Sequence, residues 1–251
     1  MEPINLPPGD YGEFHALIIG NNEYKSLPKL KTAVNDAKAV NELLKKQYGY
    51  NTRLLTDATR GDLLTAFAKY RKSLKATDNL LIYYAGHGIV DKEGDQGYWL
   101  PVDADPDIKT NWIANSDLIT ELKALKAKHI IVVADSCFSG KLVRGVGRGV
   151  TSIPSKPDRS YIDKLAAKKY RYALTSGGVE PVLDSGGDGN HSVFAAEFIK
   201  ILKSNDAILL GTQIFQKIRE KVYNNADQLP EYAPIRKTGH DGGDFLFIKK
   251  N

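Results

Sequence analysis

The chain contains a single cysteine, Cys137, and fifty residues before it stands a histidine, His87. Each follows an apolar run, in the segments Tyr83-Tyr84-Ala85-Gly86-His87-Gly88 and Ala134-Asp135-Ser136-Cys137-Phe138-Ser139-Gly140. A thiol is mostly protonated at neutral pH, and a neighbouring imidazole raises its thiolate fraction and can later protonate a leaving amine. That pairing suits acyl chemistry. Glycines flank both residues and let a substrate backbone approach closely, and the amides of Gly88 and Cys137 could together stabilise the oxyanion of a tetrahedral intermediate. Taken singly, a cysteine ending a buried strand is also read as an inert small hydrophobe, and a histidine as a satisfied polar residue.

The elements that must position this pair follow from periodicity. Apolar runs at Phe14–Ile19, Thr52–Leu55, Asn79–Ala85, His129–Ala134, Tyr170–Thr175 and Phe245–Ile248 read as strands. Helical patterns at Thr32–Tyr48, Thr59–Leu74, Ser116–Leu125, Val193–Lys203 and Gly211–Tyr223 alternate with them. The alternation predicts an α/β fold with a mostly parallel sheet covered on both faces. Ligands of open α/β sheets lie beyond the carboxyl ends of the strands, where His87 and Cys137 both fall.

Length and composition are those of a soluble globular chain, with 251 residues, 42% hydrophobic and 26% charged. One cysteine excludes an internal disulfide, no apolar run is long enough to span a bilayer, and the N-terminus lacks a signal-peptide pattern. The expectation is a cytoplasmic protein with no membrane role. The net charge of +5 is local: residues 1–140 carry 17 Lys and Arg against 18 Asp and Glu, whereas residues 141–171 carry nine against two. A nucleic-acid surface spreads its cations over a folded face with interleaved aromatics, so no nucleic-acid partner is expected. Residues 141–160, with five basic residues, three glycines and two prolines, read as a basic mobile linker.

With those segments in view, the sequence resembles the caspase-like cysteine peptidases of the metacaspase and orthocaspase type. The resemblance rests on Ile18-Ile19-Gly20-Asn21, Val34-Asn35-Asp36-Ala37, Tyr84-Ala85-Gly86-His87-Gly88 and Asp135-Ser136-Cys137-Phe138-Ser139-Gly140. It covers nearly the whole chain, and the fifty-residue separation of histidine and cysteine fits the caspase spacing. The Gln-Ala-Cys signature of true caspases is replaced by Asp-Ser-Cys. The resemblance implies a three-layer α/β/α sandwich with a mostly parallel six-stranded sheet. It divides the chain into a large, p20-like catalytic part (1–140), the linker (141–160) and a small, p10-like part (161–251), together one domain.

It further implies a cysteine endopeptidase with His87 and Cys137 as catalytic residues, and an S1 pocket lined by Asp36 and Asp135. Buried carboxylates are expensive without a partner, which a substrate Arg or Lys would supply, Arg with better geometry. The plainer readings are a solvated helix residue for Asp36 and a turn or cap for Asp135. Ser176 and Gly177 resemble a segment that pairs with extended substrate backbone, or form a plain loop. His191-Ser192-Val193-Phe194 is similar to a family segment opening a helix, with His191 expected to be structural.

Lys141, Arg144, Arg148, Lys156 and Arg159 display basic side chains where related peptidases are processed, which makes self-cleavage or an upstream activating protease an expectation beside that of an uncut loop. No cofactor is required for the chemistry and no zinc-ligand spacing is present. Calcium activation, common in metacaspases, would find oxygen ligands in the acidic cluster Asp91, Glu93, Asp95, Asp103, Asp105 and Asp107, although such loops are ordinarily just solvated. The partners expected are protein or peptide substrates with Arg or Lys at P1. The alternative function is a catalytically silent caspase-like scaffold. The oligomeric state and physiological substrate are not specified by the sequence.

Overall fold

The computed structural model describes residues 11–91, 93–136, 157–177, 190–225 and 228–250. Four apolar runs lie side by side as parallel strands: β1 (Phe14–Gly20), β3 (Asn79–Ala85), β7 (His129–Asp135) and β8 (Tyr170–Thr175). β2 (Asn51–Thr56) extends this sheet beyond β1. The sixth strand is β10 (Glu231–Pro234), antiparallel to β8, so the order is β10-β8-β7-β3-β1-β2. The expected sixth strand near Phe245–Ile248 is instead β11 (Leu246–Ile248), paired with β9 (Ile208–Leu210) in a separate two-stranded sheet.

β3 and β7 are buried along their whole length, as a parallel sheet covered on both faces requires. Successive side chains alternate between the faces. Leu81, Tyr83, Ile131 and Val133 join one core cluster, while Leu80, Ile82, Tyr84, Ile130 and Val132 join the other. Helices α1 (Ala33–Tyr48), α5 (Val193–Lys203) and α6 (Gly211–Asn225) cover the first face, and α2 (Arg60–Ser73) and α3 (Asn115–Ala124) the second. The expected three-layer sandwich is the observed one.

Local sequence sets the helix ends. α1 stops at Gly49, whose left-handed φ of 67° lets its N–H return to the Leu44 carbonyl. α2 opens with a capping box between Thr59 and Asp62. Gly20 ends β1 against α1, where a Cβ would stand 2.4 Å from the Ala33 carbonyl oxygen. That close approach brings the first turn of α1, with Asp36, to the carboxyl edge of the sheet.

Two further elements differ from expectation. A small antiparallel sheet, β4 (Gly88–Asp91), β5 (Gln96–Trp99) and β6 (Ile113–Ala114), follows the histidine, held to the main core by a Tyr84–Trp99 ring stack at 4.2 Å. The expected linker also ends early: Asp158 caps α4 (Arg159–Ala167), and Arg159 pairs with Asp163 one turn on at 3.0 Å. Processing at Arg159 would therefore require unwinding a helix start. Among the described residues no helix is long and apolar enough to cross a membrane.

Candidate active site

β3 and β7 are paired in parallel with a constant offset, from Asn79 opposite His129 to Ala85 opposite Asp135. The fifty residues between the two sequence motifs are thus the register of the ladder itself. Beyond it the Gly86 N–H reaches the Asp135 carbonyl at 3.4 Å, and the Ser176 N–H reaches the Ala134 carbonyl at 3.0 Å. Three chain segments leave the sheet together. Cys137, Lys141, Arg144, Arg148 and Lys156 lie outside the described residues.

His87 is half-buried and held on several sides. Its Nε2 lies 2.8 Å from the Pro28 carbonyl. A carbonyl only accepts, so this contact assigns the proton to Nε2 and makes Nδ1 the basic nitrogen. The backbone is fixed as tightly: its N–H donates to the Tyr24 hydroxyl at 2.7 Å, and its carbonyl accepts from the Tyr84 hydroxyl at 2.8 Å. The Tyr24 ring tilts against the imidazole at 4.6 Å. Burial first pushes the Tyr24 and Tyr84 hydroxyls well above the usual range, so both remain neutral hydrogen-bonding groups.

Gly88 begins β4 opposite Trp99, and the neighbouring bond runs from the Leu100 N–H to the His87 carbonyl. Antiparallel ladders alternate bonded and non-bonded pairs. The Gly88 N–H is therefore left unspent by the β4–β5 ladder.

The two aspartates singled out from sequence converge. Asp36, 1% exposed on α1, and Asp135, 5% exposed at the end of β7, both meet the start of α5. His191 Nδ1 lies 2.6 Å from Asp36 Oδ1, and the Ser192 N–H lies 3.4 Å from Asp36 Oδ2. The Ser192 hydroxyl donates to Asp135 Oδ2 while accepting from the Ala195 N–H at 2.9 Å as the α5 cap. Tyr83 reaches toward this pair from β3; burial, then Asp135, then Asp36 drive its hydroxyl well above the ordinary tyrosine range. The plain reading of Asp36 as a solvated helix residue does not describe this contact, and His191, expected to be structural, is the group that bonds to it.

Ser176 and Gly177 are buried directly after β8. β8 has β7 on one side and β10 on the other, with Glu231 opposite Thr175. β10 covers the β8 edge as far as Thr175, and its pairing ends before Ser176 and Gly177. The Ser176 hydroxyl has no hydrogen-bond partner among the described residues.

The acidic cluster serves its own loops. Asp91 accepts from the Glu93 and Gly94 amides and pairs with Lys109 at 2.6 Å, Asp103 accepts from the Arg60 amide, and Asp105 accepts from the Asp107 and Ile108 amides. Among the described residues, no three His, Cys, Asp or Glu side chains converge as metal ligands would. Tyr24 and Pro28 were not found from sequence, and Ser192 was read only within a segment opening a helix. Pro28 acts through a backbone carbonyl, which no residue type announces, whereas Ser192 carried a readable N-cap signal before the apolar run of α5.

The family model described as "Caspase domain" matches residues 13–238. Among curated proteins, the chain is 31% identical over 156 residues to metacaspase-1 of Cryptococcus neoformans var. neoformans serotype D, covering 51% of this chain and 33% of that protein. It is 27% identical over 173 residues to metacaspase-6 of Arabidopsis thaliana, covering 59% of this chain and 45% of that protein. The matched regions thus span less than half the length of these relatives. Among solved structures, caspase-1 from Spodoptera frugiperda superposes with a TM-score of 0.63 at 13% identity, covering 94% of this chain and 93% of that one. Protein GSU0716 from Geobacter sulfurreducens superposes with a TM-score of 0.59 at 17% identity, covering 91% of this chain and 97% of that one.

Proposed function

The chain belongs to the caspase-domain family, and from that premise we propose that it is a cysteine endopeptidase cleaving after Arg or Lys. The observation that carries this reading is the β3–β7 register, which sends the residues after Ala85 and after Asp135 off the same edge of adjacent strands.

In the proposed reaction His87 Nδ1 takes the Cys137 thiol proton, and the thiolate attacks the scissile carbonyl carbon. The Gly88 amide, with that of Cys137, stabilises the oxyanion. As the C–N bond breaks, the imidazolium returns its proton to the leaving amine. Water then hydrolyses the thioester with the same ring as base. The Nε2 contact to Pro28 supports this assignment because it holds one tautomer throughout the first step.

The P1 group is a guanidinium or ammonium met by Asp36 and Asp135. Two carboxylates approaching one site from α1 and β7 support a cationic side chain over the aspartate chosen by animal caspases, which would meet like charge. The proposed substrates are proteins or peptides exposing a basic residue, and cleavage within 141–156, at Lys141, Arg144 or Arg148, is the proposed activating event. Calcium dependence is read by running the same assay with a chelator.

The test uses peptides ending in Arg, Lys or Asp joined to a fluorogenic amine. Turnover is expected for Arg, less for Lys and none for Asp. Cys137→Ala should lower the rate by at least about 10³-fold. Turnover that survives this substitution, or a preference for Asp, overturns the assignment. For processing, new N-termini mapped after incubation should fall between residues 142 and 157; a chain that becomes active while remaining intact rejects it.

A further inference from the structure

His191 and Ser192 are adjacent, yet they bond to two different buried carboxylates: His191 to Asp36 on α1 and Ser192 to Asp135 on β7. A carboxylate at 1% exposure needs donors to fix its orientation. The kind of donor matters. A lysine or arginine at position 191 would set a fixed positive charge against Asp36, where a cationic ligand is to be met. An imidazole donates through one ring N–H whose direction the ring plane fixes, and the Ser192 hydroxyl is the corresponding donor to Asp135.

We propose that His191 is a positioning residue for P1 recognition, whose Nδ1–H aims the Asp36 carboxylate at an incoming guanidinium. This deepens the peptidase reading and rests on it. His191 stands on the segment leading into α5, whose Ser192 cap is locked to the Ala195 N–H, so its backbone is well placed to hold such a contact. The ring is 18% exposed and borders a groove of about 810 Å³ between α1 and α5, lined also by Ala39, Leu43 and Ala196. Because that side opens outward, substitution at 191 leaves no sealed cavity, and variants at this position are expected to fold.

Three variants separate orientation from charge. His191→Leu removes the donor and should raise KM for the Arg peptide about tenfold with kcat within about twofold, the scale of losing a hydrogen bond to a charged group. It should also shrink the preference for Arg over its uncharged isostere citrulline by about tenfold. His191→Asn places a neutral amide donor near the position of Nδ1 and should restore KM to within about threefold of wild type. His191→Lys should lose most of the Arg preference because the ammonium neutralises Asp36.

Thermal unfolding of each variant checks that the fold is retained. If wild type cleaves the Arg peptide and His191→Leu keeps both its KM and its Arg-to-citrulline ratio, the inference fails alone. An unaffected KM with a lowered kcat likewise rejects it, as does failure of the Asn variant to improve on Leu. If wild type cleaves no basic-P1 peptide, the peptidase reading itself fails.

Discussion

At the end of the sheet where the strands begin, Arg171 is completely buried and donates to the carbonyls of Lys128 and Tyr170 through one terminal nitrogen and of Ala127 through the other. At the end where they finish, Asp36 and Asp135 are buried with equal thoroughness, while the Tyr83, Thr175 and Ser176 hydroxyls have no hydrogen-bond partner among the described residues. At the first end the terminal nitrogens of Arg171 tie chain segments together, while its Nε has no hydrogen-bond partner among the described residues. At the other, the unpartnered groups are hydroxyls on β3, at the end of β8 and just past it. The difference teaches that burial alone does not identify a site, because what a buried polar group bonds to separates scaffolding from recognition.

The sharpest way to break that contrast is to remove charge at the carboxyl edge. Asp135→Asn should weaken kcat/KM for an Arg substrate by about 10²- to 10³-fold, as loss of a buried ionic partner does. Its thermal midpoint should stay the same or rise, since a buried carboxylate is relieved. A midpoint that falls sharply would make Asp135 part of the scaffold and dissolve the distinction.

Arg171→Leu is the reciprocal experiment. It strips donors from several buried carbonyls and should lower stability by about 3 kcal/mol, measured by denaturant unfolding. KM of the folded fraction should not change. A selective loss of Arg-peptide binding would show that the two edges are not independent.

A smaller effect sharpens the comparison through pH. Asp244, beside the start of α6, accepts from the Phe245 N–H at 2.7 Å and the Thr212 N–H at 3.4 Å, yet burial pushes its carboxyl up to about 6. Between the ordinary aspartate value and about 6, the folded chain holds a proton that the unfolded chain has released. Its contribution to stability is therefore full below that window and is lost as pH rises through about 6. Asp244→Asn should flatten this slope and raise stability near pH 7.5 by about 2 kcal/mol, read by denaturation at pH 4.5 and 7.5. An unchanged slope would assign the pH response to another group.

Much of the arrangement was legible from residues. β1, β3, β7 and β8 announced themselves because strands covered on both faces must be apolar throughout, and Asp36, His87 and Asp135 stood in short segments of distinctive composition. β10 was not legible: it has four residues, ends in Pro234 and sits at the sheet edge, where proline's missing donor is tolerated. The apolar Phe245–Ile248 run drew the sixth-strand assignment in its place, although β11 finds its partner in β9. α4 was hidden by the basic residues around it. The contact between Asp36 and His191 joins positions 155 apart in sequence, a distance over which a single sequence carries no pairing signal.

The ladder between β3 and β7 carries a consequence for how this architecture tolerates change. Everything from the small sheet through α3 is a detour between two strands whose alignment is fixed by their own backbone bonds. Residues inserted into that detour would lengthen the spacing in sequence while leaving the two strand tips abreast. A slip of one position between the strands would preserve every residue in the chain, yet would turn Tyr83 and Val133 toward opposite layers and undo both cores at once.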